Sequence, residues 1–399
     1  VTNTELKAAL QSQKPVILRS ARYGELKYKC VNAIRYTLDR TGSIIVQAEL
    51  LDYNGGSITI ASGNEVFLDN VIKSSGAKQA TDITKVAESK VKGINVLSLC
   101  DGMSCGQIAL RELGIAVNKY YASEIDKTAI KVTMDNFPQT IQSGDIRGIN
   151  EGVINKLPKV DLIMAGFPCR DLSIITRNGG SKNWEDMHNK GEGLNGEHSG
   201  LYNEFIRIYR QIRRINPNIK FLVENVASMK ADEKKTIDRD LEVSGAIINS
   251  ALFSAQNRER IYWTNIKQDR TESANQDVIK NILESNVPTK YFDSRRFIPC
   301  ESATLAGHLD LGSAHDIAKR VYRVDVKSPT LTACRGGNLQ KKIYIDGRCR
   351  KLTPTEYRRL QTIPDWYKMD VADSHIYNLC GDGWTIDVIK HILKNLTGG

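Results

Sequence analysis

From Ile94 onward the chain alternates short apolar runs with longer segments of helical period, and this alternation limits the fold more than any other feature. The runs INVLSL (from Ile94), KYYASE (from Lys119), VDLIMAG (from Val160) and KFLVENV (from Lys220) read as strands separated by helical patterns, the first of them reaching Leu113. Such alternation predicts a parallel sheet with helices on both faces, an α/β Rossmann-like fold. Leu201, Phe205, Ile208 and Ile212 recur at helical spacing, so that helix should pack on the sheet and leave Arg207, Arg210 and Arg214 in water.

The flanking regions have a different texture. Residues 1–72 read as a small β-rich accessory domain, because Ser43–Leu51 and Ser57–Ile60 flank Asp52-Tyr53-Asn54-Gly55-Gly56 and Asn-Gly favours a hairpin. Residues 73–92 read as a polar linker with a short helix through Val86. The catalytic core is expected over 93–266 and again over 347–399. Between them, 267–346 shows weak periodicity and many basic residues, including Arg295, Arg296, Lys319, Arg320, Arg323, Lys341 and Lys342, and reads as an inserted substrate-binding module. A long polar stretch from Arg170 to Gly200, with Trp184 as its main large apolar residue, fits a lid, a binding loop or a disordered insertion.

Charge and cysteine content narrow the function. A formal net charge of +10 and a pI near 9.1 favour a polyanionic partner, since Lys and Arg contacts to phosphate release counterions. No run approaches the roughly 18 apolar residues that a bilayer span requires, and Val1 to Leu10 has no signal-peptide core, so a soluble intracellular protein is expected. The eight cysteines form no Cys-x-x-Cys pair and no zinc spacing. Reduced thiols and no metal are therefore expected.

Two constellations carry chemistry. In the first, the strand ending at Leu99 breaks into Cys100-Asp101-Gly102-Met103-Ser104-Cys105-Gly106, a turn through which backbone can approach a ligand before a helix N-terminus. Glu124 follows the next strand, placed to accept from both hydroxyls of a ribose, and Asp145 closes the third, placed for an adenine amino group. In the second, Gly166-Phe167-Pro168-Cys169 follows an apolar strand, Glu224-Asn225 ends the next, and Gln256-Asn257-Arg258-Glu259-Arg260 approaches another. Strand alternation puts Arg258 and Arg260 on one side. A lone Cys at a strand end is more often a small buried hydrophobe; the carboxyl beside it changes that reading.

With these residues in order the sequence resembles the DNA (cytosine-5) methyltransferase family over nearly everything from Ile94 to Leu396. The ordered set also includes Leu201, Leu352-Thr353-Pro354-x-Glu356-x-x-Arg359-Leu360-Gln361 and Gly381-Asp382-Gly383-Trp384. The runs Leu97 to Gly102 and Pro168 to Ser173 are worded most like the de novo animal type, while phage and bacterial members are equally good sources. The resemblance implies a methyl transfer from S-adenosylmethionine to C5 of a flipped cytosine, leaving S-adenosylhomocysteine, with no metal. It makes Cys169 the nucleophile at C6 and Glu224 the carboxyl that holds N3 and the exocyclic amine, with Arg260 helped by Arg258 at the base.

The resemblance also assigns a cofactor site to Cys100, Asp101, Gly102, Met103, Cys105, Glu124, Ile125, Asp145, Ile146, Pro168, Leu201, Asp382 and Trp384, and DNA contacts to Arg170, Ser173 and Gln256. It makes 267–346 the target-recognition segment. The implied partner is double-stranded DNA, with no membrane and with a protein partner open to the N-terminal domain. The implied compartment is the cytoplasm of a bacterial or phage-infected cell, or the nucleus of a eukaryote. Three departures stand out: Cys100 where an aromatic residue usually meets the adenine, Arg170 where glutamine often follows the nucleophile, and Asp382-Gly383 where Asn-Ser or Arg-Ser is common. Alternative readings are an RNA (tRNA) cytosine methyltransferase and an inactive DNA-binding scaffold of the same fold. A redox protein would want a phosphate-binding glycine turn, which the segment after Leu99 lacks.

Overall fold

The computed structural model describes residues 10, 16–20, 24–38, 44–51, 58–62, 66–68, 93–168, 194, 200–270 and 274–396. The Asn54-Gly55 turn, the expected linker and its helix through Val86, Cys169, Arg170, Ser173 and nearly all of the stretch to Gly200 lie outside these residues. The chain divides into two compact units, Val1–Ala87 and Glu88–Gly399.

The first unit contains two three-stranded antiparallel sheets. One has β1 (Val16–Ser20) between β2 (Gly24–Tyr28) and β6 (Val66–Leu68); the other has β4 (Ile44–Leu51) between β3 (Cys30–Leu38) and β5 (Ile58–Ser62). The register of β4 on β5 pairs Leu51 with Ile58, so the two apolar runs flanking Asn54-Gly55 are neighbours.

The second unit is built on a seven-stranded sheet whose strands are β7 (Ile94–Leu99), β8 (Val117–Ser123), β9 (Ile141–Gln142), β10 (Leu162–Ala165), β11 (Lys220–Val226), β12 (Ala246–Asn249) and β13 (Glu259–Thr264), in the order β12-β13-β11-β10-β7-β8-β9. Strands β7 to β11 are parallel, but β13 runs antiparallel to both β11 and β12. The expected all-parallel sheet is thus mixed, because the short link from β12 to β13 leaves no crossover helix between them.

Side-chain alternation divides the core in two. Val96, Leu162, Met164 and Leu222 face one side, against α1 (Cys105–Glu112) and a C-terminal helix, Ile386–Leu393. Leu97, Leu99, Ile163, Ala165, Phe221 and Val223 face the other. There they meet a 15-residue helix, Leu201–Ile215, through Phe205, Ile208, Tyr209 and Ile212. Of its arginines, Arg210 and Arg214 are exposed, whereas Arg207 is half-buried, pairing with Glu204 and donating to the Ile149 carbonyl.

A second, six-stranded sheet occupies the inserted region, in the order Phe292–Asp293, Arg348–Lys351, Lys342–Ile345, Arg320–Tyr322, Leu305–Leu309, Phe297–Pro299. Arg348–Lys351 pairs within this sheet, so the module continues past the expected boundary at 346. Two of its lysines do not face solvent. Lys341 and Lys342 are both buried, and the Lys342 ammonium donates to the carbonyls of Ala318, Asn338 and Gln340. Arg295, Arg320 and Arg323 are paired with Asp293, Asp316 and Asp325. The run of basic residues therefore overstates the charge this module offers outward. Among the described residues, no helix is long and apolar enough to cross a membrane.

Candidate active site

The parallel strands end along one edge of the sheet, and the turn after β7 opens that edge. Cys100, Gly102 and Ser104 all adopt left-handed backbone, with φ of 53°, 57° and 58°. Gly102 does so without a Cβ penalty, while Cys100 and Ser104 are each strained by roughly 1 kcal/mol. Hydrogen bonds hold the strain. The Tyr120 hydroxyl donates to Asp101 Oδ1 at 2.8 Å, the Ser104 hydroxyl donates to Oδ2, and the Tyr367 hydroxyl donates to the Met103 carbonyl at 2.6 Å. Asp101, expected as a cofactor ligand, thus turns its carboxylate into the protein as a buttress of the turn. Burial pushes this carboxyl up to about 6, against the lowering effect of its hydrogen bonds.

Glu124 stands across from the turn. Its Oε2 accepts from the Gly102 N–H at 2.7 Å, and its Oε1 accepts from the N–H groups of Ile125 and Asp126 at 2.8 and 2.9 Å. Beside it Ile125 is 65% exposed, an apolar side chain open to the cavity. Asp145 caps the next turn, and Arg147 binds its carboxylate through the backbone N–H, Nε and Nη2. That contact with Arg147 holds the Asp145 carboxyl below its usual range. A cavity of about 420 Å³ runs between these residues and Ile146, Phe167, Pro168, Leu201, Asp382 and Trp384. Cys100 and Cys105 also line it, but burial pushes each thiol up to about 12, so both stay protonated near neutrality. Among the described residues no group of His, Cys, Asp and Glu is placed to hold a metal ion.

The inner end of the cavity carries Glu224. It lies at the end of β11 opposite Tyr262, with Arg260 one pleat away on the same face of β13. Arg260 Nε meets Glu224 Oε1 at 3.0 Å, and the Trp384 indole Nε1 donates to Oε2 at 2.9 Å. The next residue, Asn225, donates from Nδ2 to the Phe167 carbonyl at 3.0 Å, tying the Glu224 strand to the turn that leads into Pro168 and Cys169. Gly166 makes room for the indole: a Cβ there would lie 3.0 Å from Trp384 Cζ2 and Nε1.

Two expected site residues are buried and hydrogen-bonded within the protein, although Arg258 also lines the cavity. Gln256, expected on DNA, is fully buried; its amide donates to Leu360 O and Gln361 Oε1 and accepts from the Leu331 N–H. Arg258, expected beside Arg260, is also buried. Its guanidinium donates to the carbonyls of Leu331, Gly381 and Gly383 at 2.8, 2.9 and 3.0 Å. Alternation does place both arginines on one side, but Arg258 precedes β13 and points into the junction between the core and the C-terminal helices. Sequence reasoning missed Tyr120, Arg147 and Asn225. Tyr120 and Arg147 gave no signal beyond proximity to a motif; Asn225 stood inside one.

A family model of C-5 cytosine-specific DNA methylases matches residues 94–398. The chain belongs to that family. It is a DNA (cytosine-5) methyltransferase, with an N-terminal unit outside the matched region. Among curated relatives, the type II methyltransferase M.HhaI of Haemophilus parahaemolyticus is 25% identical over 339 residues, covering 78% of this chain and 97% of that protein. The orphan methyltransferase M.SPBetaI of Bacillus phage SPbeta is 23% identical over 436 residues, covering 76% of this chain and 97% of its own. Among solved structures, the S. pombe Dnmt2 methyltransferase superposes with a TM-score of 0.56 at 17% identity, covering 76% of this methyltransferase and 98% of its own chain. Entamoeba histolytica EhMeth gives 0.57 at 17% identity, covering 76% and 98%. These two likenesses bear on the fold alone.

Proposed function

We propose that this methyltransferase modifies cytosine in double-stranded DNA through a covalent adduct at Cys169, with Glu224 and Arg260 holding the extruded base. What supports the reading is the Glu224 carboxyl, oriented from both oxygens and one sheet position away from the turn that delivers Cys169. The cavity residues fit S-adenosylmethionine, the methyl donor that the family implies. Glu124, steered by three backbone N–H groups, suits a ribose diol, and exposed Ile125 suits an adenine face. When bound, the cofactor supplies an electrophilic methyl group.

C5 of cytosine is a poor nucleophile, and addition of the Cys169 thiolate to C6 makes C5 enamine-like. Glu224 would hold the base edge at N3 and the amine while charge develops, and Arg260 keeps that carboxyl in place. After methylation, water takes the C5 proton as Cys169 leaves. Asp382 lines the cavity, accepting from Asn378 at 3.1 Å. The base must leave the stack first, at a cost of a few kcal/mol. We assign Arg170 and Ser173 to DNA and the N-terminal unit to a DNA or protein partner, in the cytoplasm of a bacterial or phage-infected host.

The test is incubation with S-adenosylmethionine and DNA carrying 5-fluorocytosine, which blocks proton loss at C5. A denaturation-resistant complex that needs cofactor and disappears in Cys169→Ser is expected. Methyl transfer to RNA alone, or DNA binding with no transfer to any DNA, would overturn the proposal.

A further inference from the structure

Trp384 enters the site as a wall of the cofactor cavity, yet its only polar atom is turned away from that task. We infer that Trp384 is a positioning residue for the base-holding carboxyl: its indole N–H, with Arg260, sets the orientation of Glu224 for the flipped cytosine. This rests on the role proposed above for Glu224.

The geometry carries the inference. Trp384 is 9% exposed and Glu224 8%, so their contact at 2.9 Å is shielded from water. An indole has a single N–H and no acceptor, so it can serve Glu224 only by donating. A carboxylate has about four lone-pair positions. Arg260 Nε on Oε1 and Trp384 Nε1 on Oε2 occupy two, one on each oxygen, and rotation about the Cγ–Cδ bond would break both. The positions left over can face a base edge that needs one acceptor for an amine and one partner for N3.

The indole itself cannot drift. Its ring lies against Gly166, where any Cβ would stand 3.0 Å from Nε1, so the residue that follows β10 has no side chain at the point of contact. Its neighbour Gly383 is fixed by the Arg258 and Gln361 side chains, which donate to the Gly383 carbonyl. The next residue, Thr385, donates to Gln361 Oε1 at 2.7 Å. A residue needed only as an apolar cavity wall would not require this registration of its nitrogen.

The experiment replaces Trp384 with β-(3-benzothienyl)alanine, which keeps the bicyclic shape and removes only the N–H; Trp384→Phe serves as a second variant. Two quantities are measured on the full chain: the single-turnover methylation rate at saturating S-adenosylmethionine, and the affinity for S-adenosylhomocysteine. We expect the rate to fall roughly 10- to 100-fold, the range of a lost hydrogen bond to a charged group, while affinity for S-adenosylhomocysteine stays within about threefold. In a Glu224→Ala background the same replacement should cost under about threefold, because the acceptor it donates to is gone. Equal losses in both backgrounds, or weakened S-adenosylhomocysteine binding with an unchanged rate, would overturn the inference. Absence of transfer by the unaltered protein would instead sink the reading on which it rests, and this inference with it.

Discussion

Replacing Arg258 with methionine separates an architectural arginine from one at the base. Among the described residues the guanidinium, itself buried, donates hydrogen bonds to Leu331, Gly381 and Gly383. Each hydrogen bond from a charged donor contributes about 1.5–3 kcal/mol, so the gross loss is several kcal/mol. Methionine refills part of the volume, and the burial cost of the charge disappears with it, so we expect a net loss of about 3–5 kcal/mol, as for breaking a buried charged contact. At about 2 °C per kcal/mol for a unit of this size, the melting temperature should drop by roughly 6–10 °C. The assay is thermal unfolding followed by circular dichroism, with Arg260→Met beside it. Arg260 pairs with Glu224 at the inner end of the cavity and donates to the Glu259 carbonyl, fewer contacts than Arg258 makes, so its replacement should lower melting by less than Arg258→Met does while abolishing turnover. An Arg258→Met protein that melts within about 2 °C of the parent but has lost activity would refute this reasoning and return Arg258 to the base.

Three further outcomes are expected. Asp101 is raised in the folded state to about 6, so the native form binds the extra proton between roughly pH 4 and 6; urea titrations should show the parent losing up to about 3 kcal/mol relative to Asp101→Asn as pH rises through that window, and a pH-independent difference would contradict the assignment. Gly381→Ala would put a Cβ 2.2 Å from the Ala333 nitrogen and 2.4 Å from the Thr332 carbonyl carbon, both backbone, so a loss of about 3 kcal/mol or more is expected in denaturant unfolding, whereas Gly102→Ala, which meets no atom within 4 Å, should cost only about 1 kcal/mol of backbone strain. Lys342→Met should leave the salt dependence of DNA affinity unchanged, because a lysine buried among three carbonyls releases no counterion; a slope lowered by about 1 would show that it meets phosphate.

The strands were readable because the central parallel strands are buried on both faces, which leaves an apolar run in the sequence, and because a polar residue follows at the carboxyl end. Glu124 and Glu224 were legible for that reason. The reversed strand β13 was not, since apolar content reports burial and says nothing of direction. The backbone partners of Gln256 and Arg258 were not legible, because a motif records that a residue is needed without saying whether a ligand or a neighbouring backbone needs it. Lys341 and Lys342 misled for a related reason: charge in a sequence suggests solvent, yet both are buried, and the carbonyls of a short helix and a helical turn satisfy the Lys342 ammonium as water would. The left-handed turn at Cys100 and Ser104 left no trace, because neither residue type favours that backbone on its own.

The C-terminal helix Ile386–Leu393 packs on α1, and Trp384 reaches Glu224 across 160 positions of sequence. On a ribosome, the strand bearing Glu224 emerges long before the indole that completes its surroundings. A nascent chain that has not yet reached Trp384 would therefore possess the parallel strands and the inserted module without a finished cavity. The surroundings of Glu224 are thus completed by a residue made 160 positions after it.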